Sequence, residues 1–177
     1  MVRKILNFFL YLLFFIGALM YVTPKISLYY FAEQQIKPLG IIISKEILTD
    51  SGFSLEIKNA NISAKGIESA VIQNMNLKLL GFYNNFSAHN IQLASVADSF
   101  LPLNIKFINI KHSIFNPLFI TGEAKGAFGE AILKIDILKR VIQLKLLPSK
   151  EMKNRYKRTL QNLKKNKNGE YIYEKNL

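Results

Sequence analysis

An unbroken apolar run from Ile5 to Val22, preceded by Arg3 and Lys4, constrains this chain more than any other feature. Asn7 is its only strongly polar member. As a helix rising 1.5 Å per residue, the run is about 27 Å long, close to the thickness of bilayer hydrocarbon. No later segment resembles it, so the remainder of the chain is expected on one side of a membrane. A secretory signal peptide also joins positive charge to an apolar core, but it closes on small residues. Here the run ends Leu19-Met20-Tyr21-Val22-Thr23-Pro24, without an Ala-x-Ala pattern, which favours an uncleaved anchor. Arg3, Lys4 and the terminal amine place the N-terminus in the cytoplasm and everything after Val22 outside it. The expected organisation is a cytoplasmic stub (1–4), a transmembrane anchor (5–22), a juxtamembrane helix (26–38) and a β-rich domain (40–177).

The sequence has no cysteine, which excludes disulfides, thiolate metal sites and cysteine nucleophiles. Its net charge of +12 is concentrated towards the C-terminus. Pro24 ends or kinks the first helix. From Ile26 to Lys37, Leu28, Phe31, Ala32, Gln35 and Ile36 recur at helical spacing, with Glu33 and Gln34 opposite. That pattern is expected either on a membrane surface or packed against its own domain, and Pro38 stops it.

Beyond Gly40 the period falls to two. Phe53, Leu55 and Ile57 alternate with polar residues, as do Ala60, Ile62 and Ala64, then Met75, Leu77 and Leu79. Ile91 and Leu93, then Leu103, Ile105 and Phe107, and finally Ile142, Leu144 and Leu146 continue the pattern. Short alternating runs separated by turn signals such as Asp50-Ser51-Gly52 and Tyr83-Asn84-Asn85 predict a mainly β fold, an antiparallel β-meander in a curved sheet. The phase slips at Phe107-Ile108, where a β-bulge is expected. Ala64-Lys65-Gly66 followed by Ala70-Val71-Ile72 is echoed by Ala124-Lys125-Gly126 followed by Ala131-Ile132-Leu133, which suggests a repeated hairpin. Ser149 is placed to cap a C-terminal amphipathic helix over 149–165, with Met152, Tyr156, Leu160 and Leu163 on one face. A short last strand is expected from Glu170 to Glu174.

Catalytic, cofactor and metal chemistry all lack a constellation. His89 and His112 fall in separate strand-like segments without an acidic cluster. The glycines of 122–129 lack both the dinucleotide-binding spacing and the phosphate-loop ending, and are expected to permit a bulge or strand bend. The chain therefore reads as non-enzymatic, with no metal or cofactor. Lys153, Arg155, Lys157 and Arg158 on the exposed face of the C-terminal helix are candidate contacts for lipid phosphates or an acidic partner. Leu77 is the candidate apolar contact, because an unclosed sheet face suits an acyl chain and an open edge suits strand addition. Nucleic acid is not an expected partner.

Gly122-Glu123-Ala124-Lys125-Gly126 with the strand to Asp136, and the ending Tyr156…Leu160…Leu163…Asn168-Gly169-Glu170-Tyr171, resemble the AsmA-like superfamily, and within it the type II secretion pathway protein N family. The chain is shorter than usual members and, without tryptophan, lacks their Leu-Trp-x-Gly hairpin. The resemblance implies a protein of the bacterial inner membrane with a periplasmic β-domain and no catalytic residues. It further implies service to a secretion apparatus, docking partner proteins, or alternatively binding and transfer of phospholipid or lipopolysaccharide.

Overall fold

The computed structural model describes residues 2–176. The apolar run forms helix α1 (Val2–Val22). Within it Arg3–Val22 has a mean hydropathy of 2.3 and none of it is buried. That length and composition suffice to cross a membrane, and a signal sequence shares them. Pro24 opens helix α2 (Lys25–Ile36), and a single 3-10 turn (Lys37–Leu39) carries the chain to Gly40.

Period-two alternation then gives β1 (Ile41–Ser44), β2 (Ile47–Asp50), β3 (Leu55–Ala64), β4 (Ile67–Leu79), β5 (Tyr83–Leu93), β6 (Asn104–Ser113), β7 (Phe119–Gly126), β8 (Gly129–Asp136) and β9 (Val141–Pro148). Helices α3 (Lys150–Arg155) and α4 (Lys157–Gln161) precede β10 (Lys164–Lys165) and β11 (Tyr171–Asn176). All strands join one antiparallel sheet, in the order β1, β3 to β9, β11, β10, with β2 further along the β3 edge beside β1. The expected antiparallel meander is what the chain builds.

The phase slip of β6 is one part of a larger feature. In β3, β4, β5 and β6 the inward residues are spaced by three at one level: Ile57 to Ala60, Ile72 to Met75, Ala88 to Ile91, Ile105 to Ile108. Pairing stays in register across that level from β3 to β6, with a separate shift between Ile62 and Ser63 near the β3–β4 turn. Asn59, Gln73, Asn90 and Lys106 therefore share one cross-strand row. Asn59 and Asn90 both take positive φ (56° and 53°), and Asn90 Nδ2 donates to Gln73 Oε1 at 3.1 Å. Asparagine tolerates this left-handed conformation better than other non-glycine residues. The row ends where β7 has no extra residue, so the register shifts between Ile105 and Phe107. The bulge thus lies at Lys106, one step before its expected position. Such an aligned crease bends four strands together while keeping one face apolar.

Two clusters on that face form the core. Leu55, Ile57, Ala60, Ile72, Met75, Ala88 and Ile91 pack under Tyr29 of α2, and Phe128 and Leu146 pack under Met152, Tyr156 and Leu160. Partly buried Ile105 touches both.

Of the two settings expected for the apolar pattern of α2, packing on the domain is not what it does: the buried stripe is Lys25, Tyr29 and Glu33, whereas Leu28 and Phe31 are 40% and 61% exposed. Asp50 holds Lys25 at the start of the helix. Two expectations are corrected. The helix expected over 149–165 is two short ones broken at Tyr156 (φ −115°, ψ 39°). There the Tyr156 hydroxyl bonds Asp98 at 3.0 Å, and Thr159 Oγ1 donates to the Phe100 carbonyl at 2.6 Å. Both bonds tie the segment to the β5–β6 loop. The two Ala-Lys-Gly hairpins are also not equivalent, since Lys65 and Gly66 are themselves the turn, while Lys125 and Gly126 remain paired with Glu130 and Gly129.

The crease yields a stability prediction. Asn59→Val forces a β-branched residue into a left-handed conformation and should cost about 1–2 kcal/mol, a left-handed residue's usual penalty. Asn59→Gly should lie near wild type, and urea midpoints followed by circular dichroism compare the two.

Candidate functional site: a capped junction and an open apolar face

The last turn of α1 leaves carbonyl oxygens without intrahelical partners. Lys25, fully buried, turns its ammonium back onto them. Nζ lies 3.0 Å from the Met20 carbonyl, 3.4 Å from Tyr21 and 3.0 Å from Thr23. Asp50 Oδ1 completes the shell at 3.9 Å, while its Oδ2 accepts from the Lys25 backbone N–H at 3.3 Å and so caps the start of α2. Asp50 Oδ1 also accepts from the Gly52 N–H at 2.9 Å. The turn so shaped carries the Tyr21 ring, edge-on to Phe53 at 5.4 Å. A Cβ on Gly52 (φ 77°) would overlap that ring. One buried cation thus joins α1, α2 and the β2–β3 turn.

The sheet register defines the second element. Leu55, Leu77, Phe86, Ile110, Gly122, Leu133, Leu144 and Tyr173 follow one another across β3, β4, β5, β6, β7, β8, β9 and β11 as direct partners. The next row, towards the crease, is Ile57, Met75, Ala88, Ile108, Ala124, Ala131, Leu146 and Tyr171. Helices cover parts of this second row at both ends, over Ile57 and Met75 and over Leu146. In the first row Leu55 and Gly122 are buried, but Leu77, Phe86, Ile110, Leu133 and Leu144 remain half-buried and Tyr173 exposed. An apolar strip therefore crosses the sheet between two helical covers. Leu77 belongs to it, between fully buried Leu55 and Phe86.

A groove of about 1040 Å³ lies elsewhere. It follows the crease on the opposite, polar face and is lined by Gln73, Asn90, Lys106, Lys125 and Glu130 among others. Lys125 and Glu130 form a 2.7 Å ion pair there, and that hydrogen bond raises the Lys125 pKa. Gly126 stands opposite Ile105 at the register shift, where a Cβ would meet the Asn104 carbonyl and Ile105 Cα. The glycines of this segment thus serve close backbone approach.

Of the basic candidates, Arg155 is engaged within the fold, 3.4 Å from Glu151 and 3.9 Å from Asp98. Lys153, Lys157 and Arg158 are exposed and have no ion-pair partner among the described residues. The structure brings these three together on α3 and α4, which follow Pro148 at the end of β9 paired with Gly129. That is the opposite end of the sheet from Tyr21 and the β2–β3 turn. His89 and His112 project from opposite faces, and among the described residues no group of three acidic or histidine side chains is placed to hold a metal.

Burial, then the fields of Glu46 and Glu33, push the Tyr29 hydroxyl far above its usual pKa of 10.0, and it has no hydrogen-bond partner. Burial, and then its bond to Asp98, raise Tyr156 as well. Sequence reading missed Lys25 and Asp50, the chemically most specific pair. The only available signal was a lysine directly after Thr23-Pro24 at the end of an apolar helix. Compared with family models, curated proteins and solved structures, the chain matches none.

Two measurements follow. Lys25→Met leaves α1 carbonyls unpaired and should cost about 2–4 kcal/mol, at roughly 1–3 kcal/mol per orphaned buried group, read as a lower melting temperature of the full chain in detergent. Because both tyrosine pKa values are raised in the fold, their stabilising contribution is full below pH 10 and is lost as pH rises towards the folded values. Stability should therefore fall above pH 10. Tyr29→Phe should shrink that fall and leave neutral-pH stability equal or higher, since it removes an unpaired buried hydroxyl.

Proposed function

We propose that this is a non-enzymatic protein held by an uncleaved α1 anchor, whose open sheet face binds the acyl chains of membrane lipid. The observation that carries the reading is the registered apolar strip of Leu77, Phe86, Ile110, Leu133 and Leu144, half-buried and lacking a second layer. Removing such surface from water is worth about 25 cal/mol per Å², and a row without polar interruption suits a flexible hydrocarbon chain better than a peptide backbone. The anchor reading is supported by Lys25. Cleavage after α1 would remove the Met20 and Tyr21 carbonyls, two of the three that accept from its buried ammonium. In this reading the N-terminus is cytoplasmic and the sheet is extracytoplasmic, in the periplasm of a bacterial inner membrane.

A second reading, docking within a type II secretion-like system, has its own observation. β10 pairs only Tyr171 and Ile172 of β11, leaving the outer backbone edge from Tyr173 to Asn176 open to strand addition. Lys153, Lys157 and Arg158 stand at the sheet end away from α1, facing a partner rather than the anchoring bilayer.

Native mass spectrometry of the protein extracted from its own membrane in mild detergent separates the two. Lipid adducts that survive delipidating washes, and are lost in Leu144→Glu and Leu77→Glu while circular dichroism stays native, are the expected result. Lipid-free protein carrying a stoichiometric protein partner, lost on charge reversal of Lys157 and Arg158, would replace it with the docking reading.

A further inference from the structure

The antiparallel meander places alternate turns at the same end of the sheet. Leu79, Asn84, His112, Ile120, Ile135 and Ile142 are direct partners across β4 to β9. Just beyond this row stand the β4–β5, β6–β7 and β8–β9 turns. All three carry large apolar side chains that nothing covers: Phe82, Ile114, Phe115, Leu118, Ile137 and Leu138, with Phe115 87% and Leu138 75% exposed. Neighbouring turns are tied to each other. The Ile114 N–H donates to the Phe82 carbonyl at 3.0 Å, and the Ile137 N–H donates to the Leu118 carbonyl at 2.9 Å. His112 Nε2 lies 3.2 Å from the Pro117 carbonyl. The apolar tips are therefore held along an ordered rim rather than scattered on free loops.

The β2–β3 turn lies at this same end, since Leu55 pairs with Leu77, one step from Leu79. It carries exposed Phe53 and receives Tyr21 from the end of α1. The rim is thus continuous with the point where the apolar helix enters the fold. Lys139 and Arg140, exposed beside Leu138, add the basic-plus-apolar composition that suits an interface of anionic headgroups and acyl chains. Of the three connections at the other end, β3–β4 turns on Lys65-Gly66, β7–β8 tucks Phe128 into the core, and β5–β6 exposes Val96 and Phe100 but carries Asp98 and no basic residue.

We propose that this rim is a membrane-contact ledge, its tips seated in the headgroup and upper acyl region of the bilayer that holds α1. The sheet then stands on the membrane by one end, and its apolar strip begins next to the lipid. This inference rests on the anchor reading of α1. Because the sequence has no cysteine, single cysteines can be introduced and labelled with an environment-sensitive fluorophore. We would label Leu10→Cys in α1, Phe115→Cys and Leu138→Cys on the rim, and Val96→Cys, an exposed apolar position at the opposite end. The full chain is reconstituted into phosphatidylethanolamine–phosphatidylglycerol vesicles with lipids spin-labelled at shallow or deep positions. The expected result is blue-shifted emission at residues 115 and 138 with loss of intensity to the shallow label, strong quenching at residue 10, and neither effect at residue 96. Quenching at residue 10 with residues 115 and 138 as wet as residue 96, or with only one of the two quenched, overturns the ledge and leaves the anchor standing. Absence of quenching at residue 10 overturns the anchor reading and the ledge with it. All three soluble positions are exposed, and native circular dichroism of each variant confirms that it is folded.

Discussion

The arrangement depends on one buried ammonium. Lys25 is fully buried, and a lone charge in that position is costly unless it is paired and hydrogen-bonded. Three carbonyls from the end of α1 and the carboxylate of Asp50 meet that need. The same contacts satisfy groups that a helix end must otherwise leave to water. Asp50 closes the circuit by capping α2 and shaping the turn that receives Tyr21. The direction of α1 relative to the sheet is therefore set by a polar interaction of fixed geometry, where a flexible linker would leave it free. A helix joined this way transmits orientation from whatever surrounds it to the strands.

The crease has the complementary role within the sheet. A single bulge would displace the register of every later pair, and a one-residue slip would turn an apolar face outward. Sharing the extra residue among β3, β4, β5 and β6 keeps Ile57, Met75, Ala88 and Ile108 on the face that already holds Ala60, Ile72, Ile91 and Ile105. The outward residues doubled at that level, such as Gln73 and Asn74, are exposed, and the groove on the polar face follows them. Bending and facial segregation are thus two results of one aligned defect. Its end at Gly126, where a Cβ would meet the Asn104 carbonyl and Ile105 Cα, shows how β7 receives the bend without an extra residue of its own.

What was legible in the sequence followed from local chemistry. The alternation of Leu55-Glu56-Ile57 and Met75-Asn76-Leu77 marked strands because each side chain's face is set by its neighbours alone. Ser149 read as a cap, and it accepts from the Met152 N–H at 3.0 Å. Met152, Tyr156 and Leu160 read as a buried stripe, and they are buried. The break at Tyr156 was not legible, because it depends on Asp98, 58 positions away in sequence. Sequence alone leaves the setting of α2 open for the same reason. The residues it packs inward are Lys25, Tyr29 and Glu33, and Lys25 is held by Asp50, 25 positions away in sequence. Lys25 itself carries no periodic signal. A lysine after an apolar helix ordinarily reads as a flanking charge, and only its partner from β2 makes it structural. The slip at Phe107 was visible in one strand, but its alignment with Asn59, Gln73 and Asn90 exists only once the strands are paired.

The uncovered strip also bears on how such a sheet persists. An apolar row of half-buried side chains on a single layer is unfavourable in water alone, and open sheets of this kind invite association through their edges. The outermost strands are short: β10 is Lys164-Lys165 alone, and the other margin is broken into β1 and β2 at Lys45-Glu46. Short strands limit edge association at β1, β2 and β10, while the edge from Tyr173 to Asn176 and the apolar face stay available. Under the proposed acyl-chain binding, the place of the strip beside the α1 junction makes membrane lipid its nearest source of hydrocarbon.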